Sequence, residues 1–129
     1  MSDELYRDMI LELYRNPLNK GVLPDYDAKY QDFSTSCGDD VTVYMKWGSD
    51  GRIEFISHDG IGCAISQAAV SLVTDAVKGK TKEEILAMKD TDAITLLGIP
   101  ISHTRHACAT LGLFTLQKAV QSVKDSAEI

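Results

Sequence analysis

Residues 41–57, "VTVYMKWGSDGRIEFIS", decide how the chain folds. Apolar and other side chains alternate over residues 41–47, which predicts a strand with one face in the core. The segment "GSDG" at 48–51 is typical of a tight turn, and "RIEFIS" at 52–57 supplies a strand that returns beside the first. The stretch therefore predicts an antiparallel β-hairpin. The expected core face carries Val41, Val43, Met45 and Trp47.

The residues before this hairpin predict a helix and a third strand. Leu5, Met9 and Leu13 form one apolar stripe of a helix over residues 3–15. The segment "RNPLNKGVLPD" then interrupts the helix with proline and glycine. A strand over residues 29–35 would complete a small antiparallel sheet.

The residues after the hairpin have a helical period. Apolar stripes predict a helix from residue 64 to about 77 and a long last helix over roughly 105–125. Between them, "TKEEILAMK" opens with the spacing of a capping box and "TDAITLLG" ends in glycine, so each predicts a short helix. Strands followed by helices, without βαβ alternation, indicate an α+β fold. We expect a small three-stranded antiparallel sheet with helices packed on one face.

Length and composition restrict the class of protein. The chain has 129 residues, the size of one domain, and we expect residues 1–129 to form it. The net charge of −6 argues against a nucleic-acid groove, which needs clustered Lys and Arg. No apolar run is long enough to span a membrane, and "MSDELYRDMI" does not resemble an export signal. These features predict a cytoplasmic protein that binds neither nucleic acid nor membranes.

The three cysteines are the candidate chemical groups. Cys37 lies in the expected turn between the first two strands, Cys63 where the third strand meets a helix, and Cys108 in the first turn of the last helix. Without a CxxC pair they do not indicate a zinc ribbon, and an odd number in a reducing compartment argues against a disulfide framework. Helix N-termini favour the thiolate form, which binds metals and attacks sulfur.

Asp39 lies two residues after Cys37, close enough in a turn to reach the same ion. Three thiolates and a carboxylate would make a tetrahedral zinc site or one end of an iron–sulfur site. The alternative is that the cysteines are small buried residues without chemistry, as free cysteines often are. The pattern of residues alone leaves both interpretations open.

Four motifs in order resemble the U-type iron–sulfur cluster assembly scaffolds, the family of IscU, SufU and the NifU N-terminal domain. "LYRNPLNKGVLPD" is similar to the N-terminal signature of that family, and "CGD" at 37–39 to its first ligand loop. "GIGCAIS" followed by "VKGKTKEE" is similar to the second, and "CATL" at 108–111 to the third. The resemblance extends over nearly the whole chain and implies the same α+β fold.

The resemblance also implies roles for single residues. It assigns Cys37, Asp39, Cys63 and Cys108 as ligands of a [2Fe–2S] cluster, of iron, or of zinc in the isolated protein. Cys108 becomes the leading sulfur acceptor, with Cys37 as the alternative. Asp39 becomes the ligand that keeps the site labile, because a hard oxygen holds these metals less tightly than a thiolate.

The implied function is that of a scaffold rather than a turnover enzyme. It would accept sulfur from a cysteine desulfurase of the IscS, SufS or NifS type, build a cluster and transfer it to apo iron–sulfur proteins. The alternative is a zinc-dependent sulfurtransferase that accepts persulfide sulfur from the desulfurase. Whether the protein works as a homodimer stays open.

The sequence departs from the family pattern near the third cysteine. Ala107 stands where many members have His or a basic residue, and His106 lies one position earlier. In a regular helix residues 106 and 108 point about 200° apart, so His106 could be a ligand only if the helix starts later. "LGIPISHTR" replaces a chaperone-binding motif typical of the IscU branch. His58 and His103 are expected on the surface.

Overall fold

The computed structural model describes residues 3–34 and 38–127. Its strands are β1 (Ala28–Ser34), β2 (Asp39–Trp47) and β3 (Ile53–Ile61). Its helices are α1 (Asp3–Arg15), α2 (Ala64–Ala76), α3 (Lys82–Leu86), α4 (Asp90–Leu97) and α5 (His106–Ala127), with one 3-10 turn at His103–Arg105.

The strands form one antiparallel sheet in the order β1-β2-β3. Val41, Val43 and Met45 of β2 are almost fully buried, whereas Trp47 is only partly buried where the register shifts at the end of the strand. The core beneath this face is completed by α2, α3 and α5. The predicted α+β class, the three-stranded sheet and the long C-terminal helix are confirmed.

The second part of the core lies between α2, α1 and α4. Here Ile10 and Leu13 of α1 are buried, but Leu5 is exposed, so the predicted stripe is only partly correct. α2 also packs closely against α5, since a Cβ added at Gly112 would lie 2.9 Å from the Cβ of Val70. None of the helices in the described ranges combines the length and apolarity needed to cross a bilayer.

Strand β3 is longer than the sequence predicts. "RIEFIS" marks its first part, but the strand continues to Ile61 through a segment that contains Gly60. Gly60 has a φ of 132°, and a Cβ there would lie 2.0 Å from the Asp40 carbonyl oxygen. Glycine therefore permits an approach to β2 that no other residue allows, and this approach extends the sheet up to the Cys63 loop.

His58 is buried, which corrects the expectation that it lies on the surface. Only 1% of its area is exposed, and its Nε2 lies 2.8 Å from the Leu18 carbonyl oxygen. Its backbone accepts from Gly21 N–H and donates to the Asn19 carbonyl at 2.8 and 2.9 Å. The segment after α1 thus docks along the outer edge of β3, a long-range contact that strand periodicity does not reveal. His103 is exposed, as expected.

We expect His58 to make the protein less stable in mild acid. Burial lowers the pKa of His58, and the nearby Lys20 lowers it further, although the Leu18 carbonyl and Asp59 act in the opposite direction. The unfolded chain then binds more protons than the folded one as the pH falls below the ordinary histidine value of about 6.5, so the free energy of unfolding decreases there. Urea titrations at pH 7.5 and 5.5 measure this loss.

The variant His58→Gln keeps an N–H donor but has no titratable ring. In the same titrations its free energy of unfolding should decrease less between the two pH values than that of the wild type. His103→Gln is the matched control, because it removes an exposed histidine and should behave as the wild type does. An equal loss of stability in all three proteins would contradict the assignment to His58.

Candidate metal centre

The site forms where β2 begins and β3 gives way to α2. Asp40 pairs with Ile61 in the antiparallel register, so Asp39 lies opposite Gly62 and beside Cys63. The backbone N–H of Cys63 donates to Asp39 Oδ1 at 3.0 Å. This bond joins a strand terminus to a helix terminus that is remote in the sequence.

Cys63 is the N-cap residue of α2. Its Sγ accepts from the Ser66 backbone N–H at 3.5 Å, and the Ser66 hydroxyl donates to the Cys63 carbonyl at 3.1 Å. The side chain carries a free thiol and is partly exposed. The Ser66 N–H directed at the sulfur fixes the position of the Cys63 side chain at the start of α2.

Cys108 reaches the same place from the first turn of α5, and the structure has it in a disulfide, contrary to the expectation of reduced thiols. One atom each from Asp39, Cys63 and Cys108 lies within 4.8 Å of the other two. Within the described ranges this is the group of histidine, cysteine and acidic side chains that could share an ion. Cys37, the fourth predicted ligand, lies outside the described residues, two positions before Asp39 in the sequence.

The described residues of the site are mostly buried. Cys108 has 0% exposed area and Asp39 has 2%, so access to the described part of the site is through Cys63. Cys108 lies on the side of α5 that packs into the fold, and the buried run continues from there along the helix. Burial shields bound metal from solvent and restricts entry of a partner's sulfur.

A buried oxygen of Asp39 is the observation that indicates a cation-binding site. Oδ1 accepts from Cys63 N–H, but Oδ2 is buried and no donor reaches it among the residues that the structure describes. A buried acceptor without a partner costs about 1–3 kcal/mol. A cation between Oδ2 and the sulfurs would remove this cost.

The donor set fits zinc or iron. Around a tetrahedral zinc with Zn–S bonds of about 2.3 Å, sulfurs lie roughly 3.8 Å apart. The observed atoms are already within 4.8 Å, so a shift of about 1 Å or less brings them to that spacing. Once Cys108 is reduced, its sulfur, the Cys63 thiolate and the Asp39 carboxylate would leave one position of a tetrahedron for a further ligand.

His106 lies apart from this group. Its Nε2 is 3.1 Å from Asp90 Oδ2 at the start of α4, and both side chains are 43% exposed. The structure starts α5 at His106 itself, so the late helix start that ligation requires is not found. A role of His106 as a ligand stays a prediction.

Comparisons with known proteins identify the family. The sequence matches the family described as NifU-like N terminal domain over residues 5–128. The chain belongs to this family.

Two relatives with different functions resemble this member of the NifU-like N-terminal domain family. The zinc-dependent sulfurtransferase SufU of Bacillus subtilis is 36% identical, with 92% of this chain and 90% of the relative covered. The iron–sulfur cluster assembly scaffold protein IscU 1 of Archaeoglobus fulgidus is 35% identical, with 90% and 74% covered. The family therefore includes both scaffolds and a sulfurtransferase.

A solved structure agrees with the fold. The N-terminal part of a nitrogen-fixing NifU-like protein from Brucella abortus superposes with a TM-score of 0.74 at 27% identity. The comparison covers 95% of this chain and 96% of that protein. The three-stranded sheet with its helices is thus a fold of this family.

Two neighbours of the ligands were not predicted from the sequence. Ser66 supports the Cys63 sulfur, and the spacing in "CAIS" is that of an N-cap residue and its third helical residue, so a signal was present. Gly62 is the second, because a Cβ there would lie 2.4 Å from Ser66 Oγ and 2.5 Å from Asp39 Oδ1. Glycine keeps that space free for the carboxylate.

We expect Gly62→Ala to weaken zinc binding by roughly tenfold or more, because displacing Asp39 removes a charge-assisted interaction. Competition with a coloured chelator measures the affinity. Gly48→Ala is the matched control, since its Cβ would meet the flexible carboxylates of Asp50 and Glu54 at 3.1 and 3.3 Å and a backbone atom only at an ordinary 3.8 Å. Equal affinities in the two variants would contradict the proposed crowding.

Proposed function

We propose that this protein is a scaffold for iron–sulfur cluster assembly. It accepts sulfur from a cysteine desulfurase, assembles a [2Fe–2S] cluster on Cys37, Asp39, Cys63 and Cys108, and transfers the cluster to apo acceptor proteins. The convergence of Asp39, Cys63 and Cys108 within 4.8 Å is the observation that carries this proposal. Membership of a family that contains named scaffolds supports it.

Sulfur transfer requires one nucleophilic cysteine. Its thiolate attacks the outer sulfur of the donor's persulfide, a new S–S bond forms at the acceptor, and the donor cysteine leaves as a thiolate. We assign this role to Cys108 first and to Cys37 as the alternative. Since Cys108 is buried and disulfide-bonded, acceptance at that residue requires reduction of the disulfide and opening of the site when the donor docks.

Exposed apolar side chains beside the site support docking of partner proteins. Phe33 near the end of β1 is 62% exposed, and Ile61, two residues before Cys63, is 72% exposed. Large apolar side chains in water at such a position favour contact with another protein. We propose the desulfurase and the cluster acceptors as these partners.

Asp39 makes the cluster transferable. Its oxygen is a harder and weaker ligand for these metals than a thiolate, so a metal bound there exchanges more readily. Its Oδ1 is held by Cys63 N–H, whereas Oδ2 has no donor within the described ranges and is the atom that we assign to the metal. The protein thereby acts as a carrier and not as a turnover enzyme.

The second candidate function is zinc-dependent sulfur transfer. The 36% identity to a zinc-dependent sulfurtransferase favours it. The same four residues would hold zinc, which would keep the thiolates deprotonated and poised for persulfide exchange. That alignment, however, runs over 135 positions, more than the 129 residues of this chain, so the sulfurtransferase has residues without a counterpart here.

The alignment with the archaeal scaffold has fewer gaps, although it covers 74% of that protein. Its alignment runs over 117 positions and covers 90% of this chain, which requires almost no gaps. The near absence of gaps relative to this scaffold leads us to place the scaffold function first.

Anaerobic reconstitution tests the proposal. The protein is incubated with ferrous iron, L-cysteine, a cysteine desulfurase and a thiol reductant, which reduces the transferred sulfur to sulfide and opens the disulfide at Cys108, and the visible absorption of a cluster is followed. We expect a cluster that transfers to apo-ferredoxin, and its loss in Cys37→Ser, Cys63→Ser and Cys108→Ser, because each variant lacks a soft ligand. Zinc-dependent stimulation of the desulfurase without a transferable cluster would establish the sulfurtransferase instead.

Asp39→Ala should give a cluster that persists several times longer during transfer, because the weak oxygen ligand is removed. The half-life of the cluster in the presence of apo-ferredoxin is the measurement. Asp40→Ala is the matched control, since that carboxylate bonds with Gln31 on the neighbouring strand. An unchanged half-life in Asp39→Ala would remove lability as the role of this residue.

A further inference from the structure

Lys20 forms a cross-link at the loop that carries Cys63. Its Nζ donates to the Gly60 carbonyl at 2.7 Å and to Gln67 Oε1 at 3.2 Å, and it lies 3.9 Å from Asp59 Oδ1. Gly60 and Gln67 thus accept two of the three N–H donors of the ammonium group, and Asp59 adds an ion pair. Only 32% of the Lys20 side chain is exposed, although it is a lysine on a connecting segment.

The backbone of Lys20 is itself fixed on β3. The flanking residues Asn19 and Gly21 both exchange main-chain hydrogen bonds with His58, and Lys20 bridges to His58 in parallel fashion. Because the backbone is held on the strand, the ammonium reaches Gly60 and Gln67 from a defined position.

The two main acceptors lie on either side of Cys63. Gly60 precedes Cys63 by three positions, and Gln67, which is 5% exposed, lies one helical turn after it. The backbone N–H of Gln67 also donates to the Cys63 carbonyl at 3.0 Å. The two hydrogen bonds of Lys20 therefore connect the end of β3 to the first turn of α2, and Cys63 lies between the two bonded residues.

The segment between Gly60 and Gln67 needs contacts from another part of the chain to hold its conformation. It contains Gly60 and Gly62, and glycine has the largest backbone freedom of any residue. Both glycines are required for close approach, to the Asp40 carbonyl and to the Asp39 carboxylate. The loop thus cannot be stiffened by side chains of its own, so its stiffness must come from another segment.

We propose that Lys20 is a positioning residue that holds the Cys63 loop in its metal-binding geometry, an inference that rests on the proposed function. It does not touch the metal. Lys46 differs from Lys20 in its partners and not in its exposure: 30% of its side chain is exposed, and it pairs with the carboxylates of Asp25 and Asp27, of which Asp25 is 88% exposed. Such exposed pairs contribute little, whereas Lys20 bonds a main-chain carbonyl and a buried amide.

Lys20→Met tests the proposal, with Lys46→Met as the matched control and Lys20→Arg as the conservative variant. In the metal-free protein, amide hydrogen exchange at Cys63 and Ser66 should become roughly fivefold faster or more in Lys20→Met, since loosening the loop frees bonds to Asp39 and Cys63. Exchange at Val70 and Val73 should not change, which shows that the core stays folded.

The same proteins are titrated with Zn²⁺ against a chelator and with Co²⁺, whose visible absorption reports tetrahedral geometry. We expect about tenfold weaker binding and a weaker Co²⁺ band in Lys20→Met, recovery in Lys20→Arg, and wild-type values in Lys46→Met. Unchanged exchange at Cys63, or unchanged metal affinity in Lys20→Met, overturns the proposal. Failure of the wild type to bind either metal rejects the proposed function, and the exchange data then decide separately whether Lys20 holds the loop.

Discussion

The hydrogen bond from the Cys63 backbone N–H to Asp39 Oδ1 is the contact on which the site depends. It connects the start of a strand to the start of a helix, and it fixes one oxygen of the carboxylate while the other stays without a donor among the described residues. Gly62 permits the contact because it has no Cβ in the space that the carboxylate occupies. A small change in this loop would therefore separate the oxygen from both sulfurs at once.

The candidate metal site is mostly buried but remains partly accessible to solvent. Asp39 and Cys108 are almost completely buried, which would shield the cluster of the proposed function from water, whereas Cys63 remains partly exposed. A site closed on all sides would protect a bound cluster from water but could not release it. In the proposed function, one partly exposed sulfur and one oxygen ligand are the features of the described residues that would favour release.

The sheet and the helices could be predicted because they follow from local periodicity. Alternation along β2 and the capping box at Thr81 are signals carried by neighbouring residues, and both appear in the structure. The burial of His58 could not be predicted, since it arises when a segment 40 positions away docks on the strand. The extension of β3 was missed because Gly60, which resembles a turn residue, in fact allows two strands to approach.

At the site, too, local signals could be predicted from the sequence but long-range contacts could not. The cysteines were singled out because they stand at element boundaries, but only the register of β2 and β3 brings Asp39 beside Cys63. The "NPLNKG" segment has a physical explanation that the sequence does not give. Asn19 and Gly21 both have positive φ, 61° and 145°, a conformation that asparagine tolerates and glycine adopts freely. This geometry lets both flanking residues bond His58 and directs Lys20 between them toward the Cys63 loop, so an N-terminal motif supports a ligand that follows it by more than 40 residues.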